Sequence, residues 1–232
     1  MCSSDLTGRM TGEHDVWRAM MRQAGVIELT GLNDLLVTLQ AWSSAELQPR
    51  NRSGDGVMVI GCGGGVSVLI SDALVVAGLS VARLGPGTLS ALKQLEPAAK
   101  VFGGIDNPIE MPVDRLFTDP AKLARLIETS AADPEVGMVL LHLNLIAFSD
   151  LFGDDNLTHL EAVCAAIRDV AGCVAKPLTV VLRNGDCGQT TGTLYRSALT
   201  SLGSQAGLDV FSDLEPALAW LGRVRTFTGC RS

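Results

Sequence analysis

The stretch VMVIGCGGGVSVLISDALVVAG, Val57–Gly78, decides the fold that the sequence predicts. Its first five residues are a short apolar run, which is typical of a buried parallel strand. Glycines then form a turn, and the apolar helix that follows ends at Gly78. A strand, a glycine turn and a helix in this order make one βα unit, from which parallel sheets covered by helices are built.

The same order of strand, turn and helix repeats along the rest of the chain. Apolar strands are predicted at Ser80–Leu84, Gly137–Ile146, Lys176–Gly185 and Leu208–Asp213, and helices at Thr88–Leu95, Pro120–Ala131, Asn156–Ala171 and Glu215–Val224. Pro120 suits the first position of its helix, where no N–H has to be donated. We therefore expect an α/β fold with a mostly parallel sheet of about five or six strands and helices on both faces.

The first part of the chain carries weaker signals. Asp15–Gln23 is predicted to be a short helix and Gly25–Leu29 a short strand. A further helix opens with leucines at helical spacing on one face, at Leu32, Leu35, Leu36 and Leu39. The polar run 48–56 that follows is the clearest linker in the chain. The predicted organisation is an N-terminal segment over 1–23 and one domain over 24–228, with the polar linker inside the domain.

Composition narrows the classes of function. The 232 residues carry a net charge of −7, which argues against nucleic-acid binding because phosphate backbones attract basic surfaces. The six cysteines form no CxxC pair and cluster with no histidine at metal-ligand spacing, so we expect no metal site. The sequence shows neither an apolar stretch typical of a membrane helix nor the pattern of a secretory signal. We expect a cytoplasmic protein with reduced thiols.

The glycine-rich turn after the first strand of the domain core is the main candidate site. Glycines there expose main-chain N–H groups at a helix N-terminus, where the positive end of the helix dipole favours a phosphate. The candidate anion-binding residues are Gly61, Gly63, Gly64, Gly65, Val66 and Ser67, the last of them through its hydroxyl. The spacing matches neither the dinucleotide fingerprint nor a Walker loop. A turn made only for packing is the alternative.

A second loop follows a strand of the same sheet and is a candidate neighbour of the anion site. Its residues of interest are Gly103, Gly104, Asp106 and Asn107. Asp and Asn side chains also hydrogen-bond ordinary turns, so a wide turn is the alternative. His142 lies inside an apolar strand and is interpreted as a core histidine. No His or Asp is tied to Cys187 in sequence, so it is interpreted as a buried or loop cysteine rather than a nucleophile. No catalytic residue is assigned.

Segments in a fixed order carry a family resemblance. They are TGRMTGEHDVWRAMMRQAGVIEL (7–29), VMVIGCGGGV (57–66), GGIDNPIEM (103–111), ADPEVGMVLL (132–141), KPLTVVLRNG (176–185) and GLDVFSDLEPALAWLGRV (207–224). They resemble, in order and spacing, motifs of the NDP-forming acyl-CoA synthetases, which include ADP-forming acetate–CoA ligase and are related to succinyl-CoA ligase. The corresponding family motifs include QAGV, VAIVTNAGGPGV, NPVDL, ADPxVDAVLV and KPVLxxxxGG.

The resemblance implies a flavodoxin-like three-layer domain of such a ligase. The complete enzyme converts an acid, CoA and NTP into acyl-CoA, NDP and phosphate through a phosphohistidine, which docks on helix N-termini. By resemblance, the helix beginning at Gly63–Val66 is one of these docking sites. The implied partners are CoA-binding and ATP-grasp domains or subunits of the same ligase. No cofactor is expected in this domain, whereas CoA, ATP or ADP and magnesium are expected for the complete enzyme.

The chain departs from the family pattern at functional positions. The family's histidine precedes the Thr7–Gly8 pair, where this chain has Leu6, and the Asp of the NPVD element is Glu110 here. The chain is therefore not expected to complete the reaction alone. We hypothesise that Met1–Leu6 is an assembly artefact, because CSSDL is what a common sequencing adapter encodes. A non-catalytic CoA- or phosphate-binding domain, or a subunit-interaction domain, is the alternative function, and a flavin or response-regulator protein is disfavoured.

Overall fold

The computed structural model describes residues 14–47, 54–61, 63–96, 106–183, 188–203 and 208–229. The helices of these ranges are α1 (His14–Gln23), α2 (Leu32–Leu47), α3 (Gly64–Val76), α4 (Pro86–Leu95), α5 (Val113–Phe117), α6 (Pro120–Ala131), α7 (Leu145–Phe152), α8 (Asn156–Cys173), α9 (Gln189–Leu202) and α10 (Leu214–Gly229). The strands are β1 (Gly56–Gly61), β2 (Ser80–Val81), β3 (Ile109–Glu110), β4 (Val136–Asn144), β5 (Leu178–Arg183) and β6 (Leu208–Phe211). None of these helices combines the length and apolarity needed to cross a membrane.

The strands pair in parallel in the order β2-β1-β4-β5-β6, and β3 also pairs with β1. One edge of β1 is shared by two short strands, since Gly56 and Val57 pair with β2 whereas Ile60 and Gly61 pair with β3. Because the strands are parallel, their carboxyl ends lie along one edge of the sheet. Ligands of parallel α/β sheets bind at that edge.

The sheet has a helical layer on each face. Ile60 and Leu141 belong to one buried cluster, which also takes its members from α4, α6, α8 and α9. Their neighbours Val59 and Leu140 point the other way, into a second cluster with residues of α3 and α10 such as Trp220. The strands are apolar throughout because both faces are covered. This three-layer arrangement confirms the predicted α/β fold with a mostly parallel sheet.

Several predicted strands differ from the structure, and of Ser80–Leu84 only Ser80–Val81 is a strand. Gly25–Leu29 forms no strand, so that prediction was wrong. The predicted strand over Gly137–Ile146 ends at Asn144, where α7 begins. The side chain of Asn144 caps α7 by accepting a hydrogen bond of 3.3 Å from the N–H of Ala147. An apolar sequence that looked like one long strand is therefore a strand followed by a capped helix.

Helix α2 packs against α10 through a surface other than its leucine stripe. Ala41 is fully buried between them, and Asp34 receives a salt bridge of 3.0 Å from Nη2 of Arg223. Three of the four leucines at helical spacing face outward, with Leu32, Leu36 and Leu39 exposed by 71%, 57% and 50%. An apolar stripe on α2 therefore lies at the surface of the described part of the chain.

The polar run predicted as a linker leads directly into the sheet. Residues 48–53 lie outside the described residues, whereas Gly54 packs against main chain and β1 begins at Gly56. The N–H of Gly56 donates to the carbonyl of Glu135 at 3.2 Å. A Cβ on Gly54 would lie 2.4 Å from the carbonyl carbon of Glu135, so this approach requires glycine. The predicted division into 1–23 and 24–228 stays a prediction.

Candidate functional site

The glycine turn joins the carboxyl end of β1 to the start of α3. Gly61 is the last residue of β1, and Gly63 is the N-cap of α3 with φ 89° and ψ 127°. A positive φ of this size is a conformation that side-chain-bearing residues rarely adopt, which explains the glycine at this position. The turn therefore lies at the carboxyl edge of the sheet, as the sequence predicts. Cys62 within it lies outside the described residues.

The N-terminus of α3 has no side-chain cap among the described residues. The N–H groups of Val66 and Ser67 both donate to the carbonyl of Gly63 at 3.2 Å, so they are used inside the turn. The two preceding helical N–H groups, of Gly64 and Gly65, have no carbonyl one turn earlier to bond. Of the predicted anion-binding residues, these two offer main-chain donors that the helix does not use.

Ser67 does not present its hydroxyl at the turn surface. The residue is only 1% exposed, and its Oγ donates to the carbonyl of Gly63 at 3.4 Å. Gly63 and Gly65, in contrast, face open space. A Cβ built on Gly63 or Gly65 would meet no described atom within 4 Å, and one on Gly61 would meet the Cβ of His142 at 3.5 Å. No described side chain therefore lies against Gly63 or Gly65, whereas that of His142 lies beside Gly61.

Strand β3 brings Glu110 beside the glycine turn. Gly61 and Glu110 are partners in the β1–β3 register, and the N–H of Met111 donates to the carbonyl of Gly61 at 3.3 Å. Glu110 is half-buried, so its carboxylate is a negative charge in the neighbourhood of the turn. Sequence reasoning noted this residue only as a departure from the family's Asp and did not predict the contact with β1.

The second predicted loop contributes a structural contact rather than a group at the turn. The side chain of Asn107 accepts from the N–H of Val59 and donates to the carbonyls of Val57 and Ala82, each at 2.9 Å. Asp106 is exposed and accepts from the N–H of Asn107 at 2.9 Å. The amide of Asn107 is thus occupied by the middle of β1, and Gly103 and Gly104 lie outside the described residues.

His142 is a buried histidine, as expected, but it also lines a cavity. It is 4% exposed, and its Nδ1 has no hydrogen-bond partner in the described structure. Burial, with a smaller contribution from the positive charge of Arg183, lowers the pKa of His142 to about 4. The imidazole is therefore neutral at pH 7. The cavity has a volume of about 250 Å³ and lies beside α3 at the carboxyl ends of β4 and β5.

Nucleophilic and metal chemistry find little support in the described ranges. Burial raises the pKa of the Cys164 thiol to about 12, so the reactive thiolate is not populated at neutral pH. Cys187 lies outside the described residues. No group of three or more His, Cys, Asp or Glu side chains suited to a metal ion occurs among the residues with described positions.

Curated proteins with similar sequences share one activity in their names. The chain is 27% identical over 163 residues to ADP-forming acetate–CoA ligase I of Archaeoglobus fulgidus, which covers 70% of this chain and 22% of that protein. It is 24% identical over 179 residues to the alpha subunit of ADP-forming acetate–CoA ligase II of Pyrococcus furiosus, covering 77% of this chain and 36% of that subunit. The chain thus spans well under half the length of these relatives. No protein-family profile matches the sequence.

Solved structures show the same fold. Dinucleotide-forming acetyl-coenzyme A synthetase 1 of Candidatus Korarchaeum cryptofilum, in complex with phosphate and ADP, superposes with a TM-score of 0.67 at 17% identity, covering 97% of this chain and 43% of that chain. A crystal structure from Pyrococcus horikoshii OT3 gives a TM-score of 0.64 at 22% identity, covering 93% and 44%. At these identities the structural likeness establishes the fold alone. The sequence matches confirm the predicted resemblance: the chain is homologous to part of the ADP-forming acetate–CoA ligases.

Proposed function

We propose that the chain is a domain of an NDP-forming acyl-CoA synthetase and that it docks the enzyme's phosphohistidine at the N-terminus of α3. The complete enzyme forms acyl-CoA, NDP and phosphate from an acid, CoA and NTP. The names of the sequence relatives support the ligase assignment. The observation that carries the docking site is the uncapped, glycine-lined N-terminus of α3 at the carboxyl edge of the sheet.

The main-chain geometry explains how a negatively charged chain holds an anion. The N–H groups of Gly64 and Gly65 and the positive end of the α3 dipole supply partial positive charge without a cationic side chain. Helix α7 begins at the same sheet edge, but the side chain of Asn144 already caps its N-terminus. Helices α4 and α9 also begin at N-cap glycines without a side-chain cap, and α3 is chosen over them because two further glycines follow its N-cap. Glu110 is the register partner of Gly61, and its carboxylate repels a phosphate. In this proposal the imidazole ring of the phosphohistidine, rather than its phosphate, lies beside Glu110.

Catalysis in this proposal requires CoA-binding and ATP-grasp domains or subunits, which bring CoA, ATP or ADP and magnesium. The sequence has Leu6 at the position of the family's phosphohistidine, so the chain carries no phosphoryl carrier at that position. The chain by itself is expected to be inactive, and the proposed compartment is the cytoplasm. A chain that is non-catalytic in every context, and binds only CoA, phosphate or a ligase subunit, is the alternative.

The exposed stripe on α2 is the surface proposed to contact the rest of the ligase. Leu32, Leu36 and Leu39 are joined by Trp42, which is 47% exposed. Large side chains grouped on one helix face are typical of an interface, whereas scattered ones are not. The matched segments are 22% and 36% of the two relatives, so most of the length of those proteins lies outside the part that this chain matches.

The docking proposal is tested by calorimetry with a short peptide carrying phosphohistidine and with the same peptide unphosphorylated. We expect saturable binding of the phosphorylated peptide alone, because only it carries a group for the free amides of α3. Equal binding of both peptides, or of neither, would contradict the docking site. A coupled assay for acid- and CoA-dependent NTP consumption then distinguishes a ligase domain from the alternative when the chain is combined with CoA-binding and ATP-grasp partners.

A further inference from the structure

Four residues on the α3 face of the sheet form a row near its carboxyl edge. Their strands β3, β1, β4 and β5 are successive neighbours, and the residues are Glu110, Gly61, His142 and Arg183. The residues that precede them belong to the buried cluster on the opposite face, and they are Ile109, Ile60, Leu141 and Leu182. Because side chains alternate along a strand, the row points towards α3. One end of the row therefore bears a carboxylate and the other end a guanidinium.

The cavity of about 250 Å³ beside α3 lies along this row and continues the glycine turn. It is lined by His142 and Arg183 together with Val66 in the first turn of α3. A Cβ on Gly61 would lie 3.5 Å from the Cβ of His142, so the turn and the cavity adjoin each other. Turn and cavity are therefore one site, and Arg183 supplies a cationic side chain to it.

The charges along the row favour an anion on the β5 side. Glu110 repels an anion from the β3 side, whereas Arg183 is exposed and makes no salt bridge within the described part of the chain. Asp213 also lines the cavity, and its carboxylate accepts a hydrogen bond of 3.0 Å from the Ser212 hydroxyl. The charge of Arg183 reaches His142, since together with burial it lowers the pKa of the imidazole. An anion in the cavity therefore has a guanidinium available as its counter-charge.

His142 is an independent indication that the cavity takes a polar ligand. The residue is only 4% exposed, and its Nδ1 has no hydrogen-bond partner in the described structure. Buried polar atoms without a partner are uncommon and costly. With its proton on Nδ1, a neutral imidazole donates a hydrogen bond to an anion. A phosphoryl oxygen in the cavity would supply the partner that the protein does not.

We propose that Arg183 is the counter-charge for the phosphoryl group of the docked phosphohistidine and that His142 donates a hydrogen bond to it. The amides at the start of α3 hold the phosphoryl group from one side, and Arg183 draws it towards β5 and away from Glu110. This inference rests on the proposed function, because its ligand is the phosphohistidine. The family resemblance assigns neither residue a role, since Arg183 falls on a variable position of KPVLxxxxGG and the segment that matches ADPxVDAVLV ends before His142.

The test is calorimetry of the full chain and its variants with the phosphohistidine peptide. Arg183→Gln is expected to weaken binding at least about tenfold, because a charged hydrogen-bond partner is lost. Arg183→Lys is expected to weaken it less than about threefold, because the charge is kept. Neither variant is expected to change the unfolding temperature, since the side chain is exposed. Arg196→Gln is the matched control, because it removes an exposed arginine of α9, and it is expected to bind like the unmodified chain.

The ring resonances of His142, followed by NMR in the isotope-labelled chain, locate the phosphoryl group. We expect them to shift as the phosphorylated peptide saturates the chain and to stay in place with the unphosphorylated peptide. Binding that leaves these resonances unmoved would show that the phosphoryl group does not enter the cavity.

The outcomes distinguish this inference from the proposed function. If the unmodified chain does not bind the phosphorylated peptide, both the docking site and the counter-charge are wrong. If the unmodified chain binds it and Arg183→Gln binds it equally well, docking stands and only the counter-charge is wrong. A loss of affinity in Arg196→Gln as large as in Arg183→Gln would show an effect of net charge rather than of this site.

Discussion

The side-chain amide of Asn107 donates a hydrogen bond of 2.9 Å to the main-chain oxygen of Val57. It occupies the part of the β1 edge between the residues that pair with β2 and those that pair with β3. The same side chain reaches Val59 and Ala82, so one amide completes the ladder where two short strands leave a gap. The Asn of the second predicted loop therefore holds the strand that carries the glycine turn.

Replacing Asn107 by Asp is expected to lower the free energy of unfolding by about 2–4 kcal/mol. Asp keeps the shape of the side chain but loses the NH2 group, so a carboxylate faces the carbonyls of Val57 and Ala82. Urea unfolding measures the change. Asp106→Asn is the matched control, since Asp106 is exposed, and it is expected to change stability by less than about 0.5 kcal/mol. A stable Asn107→Asp variant that loses only anion binding would contradict the structural role.

His142 is expected to titrate near pH 4 in NMR spectra, because burial and the charge of Arg183 lower its pKa. The folded pKa lies below the unfolded value of about 6.5, so the folded state binds fewer protons. The corresponding stability is present above pH 6.5 and is lost as the pH falls towards 4, up to about 3 kcal/mol. Arg183→Gln is expected to raise the pKa of His142. Titration of His142 at an ordinary pKa would contradict its burial.

Arg223→Gln is expected to destabilise the fold by about 1 kcal/mol at pH 7, because Arg223 joins α10 to Asp34 of α2. The pKa of Asp34 is lowered, mainly by the N–H of Thr30 and further by Arg223, against a desolvation that raises it. The stability from the ionised Asp34 is therefore present above the ordinary Asp pKa of 3.8 and is lost as the pH falls below it. Chemical unfolding measures the free energy of unfolding at pH 7, where ionised Asp34 contributes, and below pH 3.8, where that contribution is lost.

The exposed salt bridge between Arg18 and Glu28 provides the control for Arg223→Gln. Both side chains of this pair are more than two-fifths exposed, so Arg18→Gln is expected to change stability by less than about 0.5 kcal/mol. Equal effects of Arg223→Gln and Arg18→Gln would show that the α2–α10 pair contributes no more than a surface contact.

Gly137→Ala is expected to destabilise the fold by about 2–4 kcal/mol. A Cβ at this position would lie 2.1 Å from the main-chain oxygen of Gly54, so β4 and the chain entering β1 have to separate. Gly172→Ala, inside α8, meets no atom within 4 Å and is expected to stabilise by about 0.5–1 kcal/mol. Thermal unfolding of the two variants measures the difference, and a loss of stability in both would point to a general intolerance of alanine.

The sequence predicted best those elements whose signals are local. Helix α6 begins at Pro120 and ends at Ala131 as expected, because Asp119 caps it and accepts from the N–H of Lys122 at 2.9 Å. The glycine turn was located for the same reason, since Gly63 needs its positive φ regardless of the rest of the fold. Asn144 was an available capping signal for α7, but the apolar run around it masked the change from strand to helix.

The rest depends on contacts between distant residues, which a single sequence does not reveal. Strand β3 has only two residues and exists because β1 is beside it. The amide of Asn107 fits a turn equally well in sequence, and only its bonds to Val57 and Val59 define its role. His142 lines a cavity because the register with β5 brings Arg183 to the same face. These relationships come from strand pairing, not from local pattern.

The central claim is that the free amides at the start of α3 receive a phosphorylated histidine. Calorimetry with the phosphohistidine peptide on Gly65→Glu and Gly65→Gln tests it most directly, because a Cβ at Gly65 meets no described atom within 4 Å. Glu in the first turn favours the helix dipole, so the fold is retained while the anion is repelled. We predict at least about tenfold weaker binding for Gly65→Glu than for its neutral partner Gly65→Gln. Equal affinity in the two variants would contradict docking at this helix.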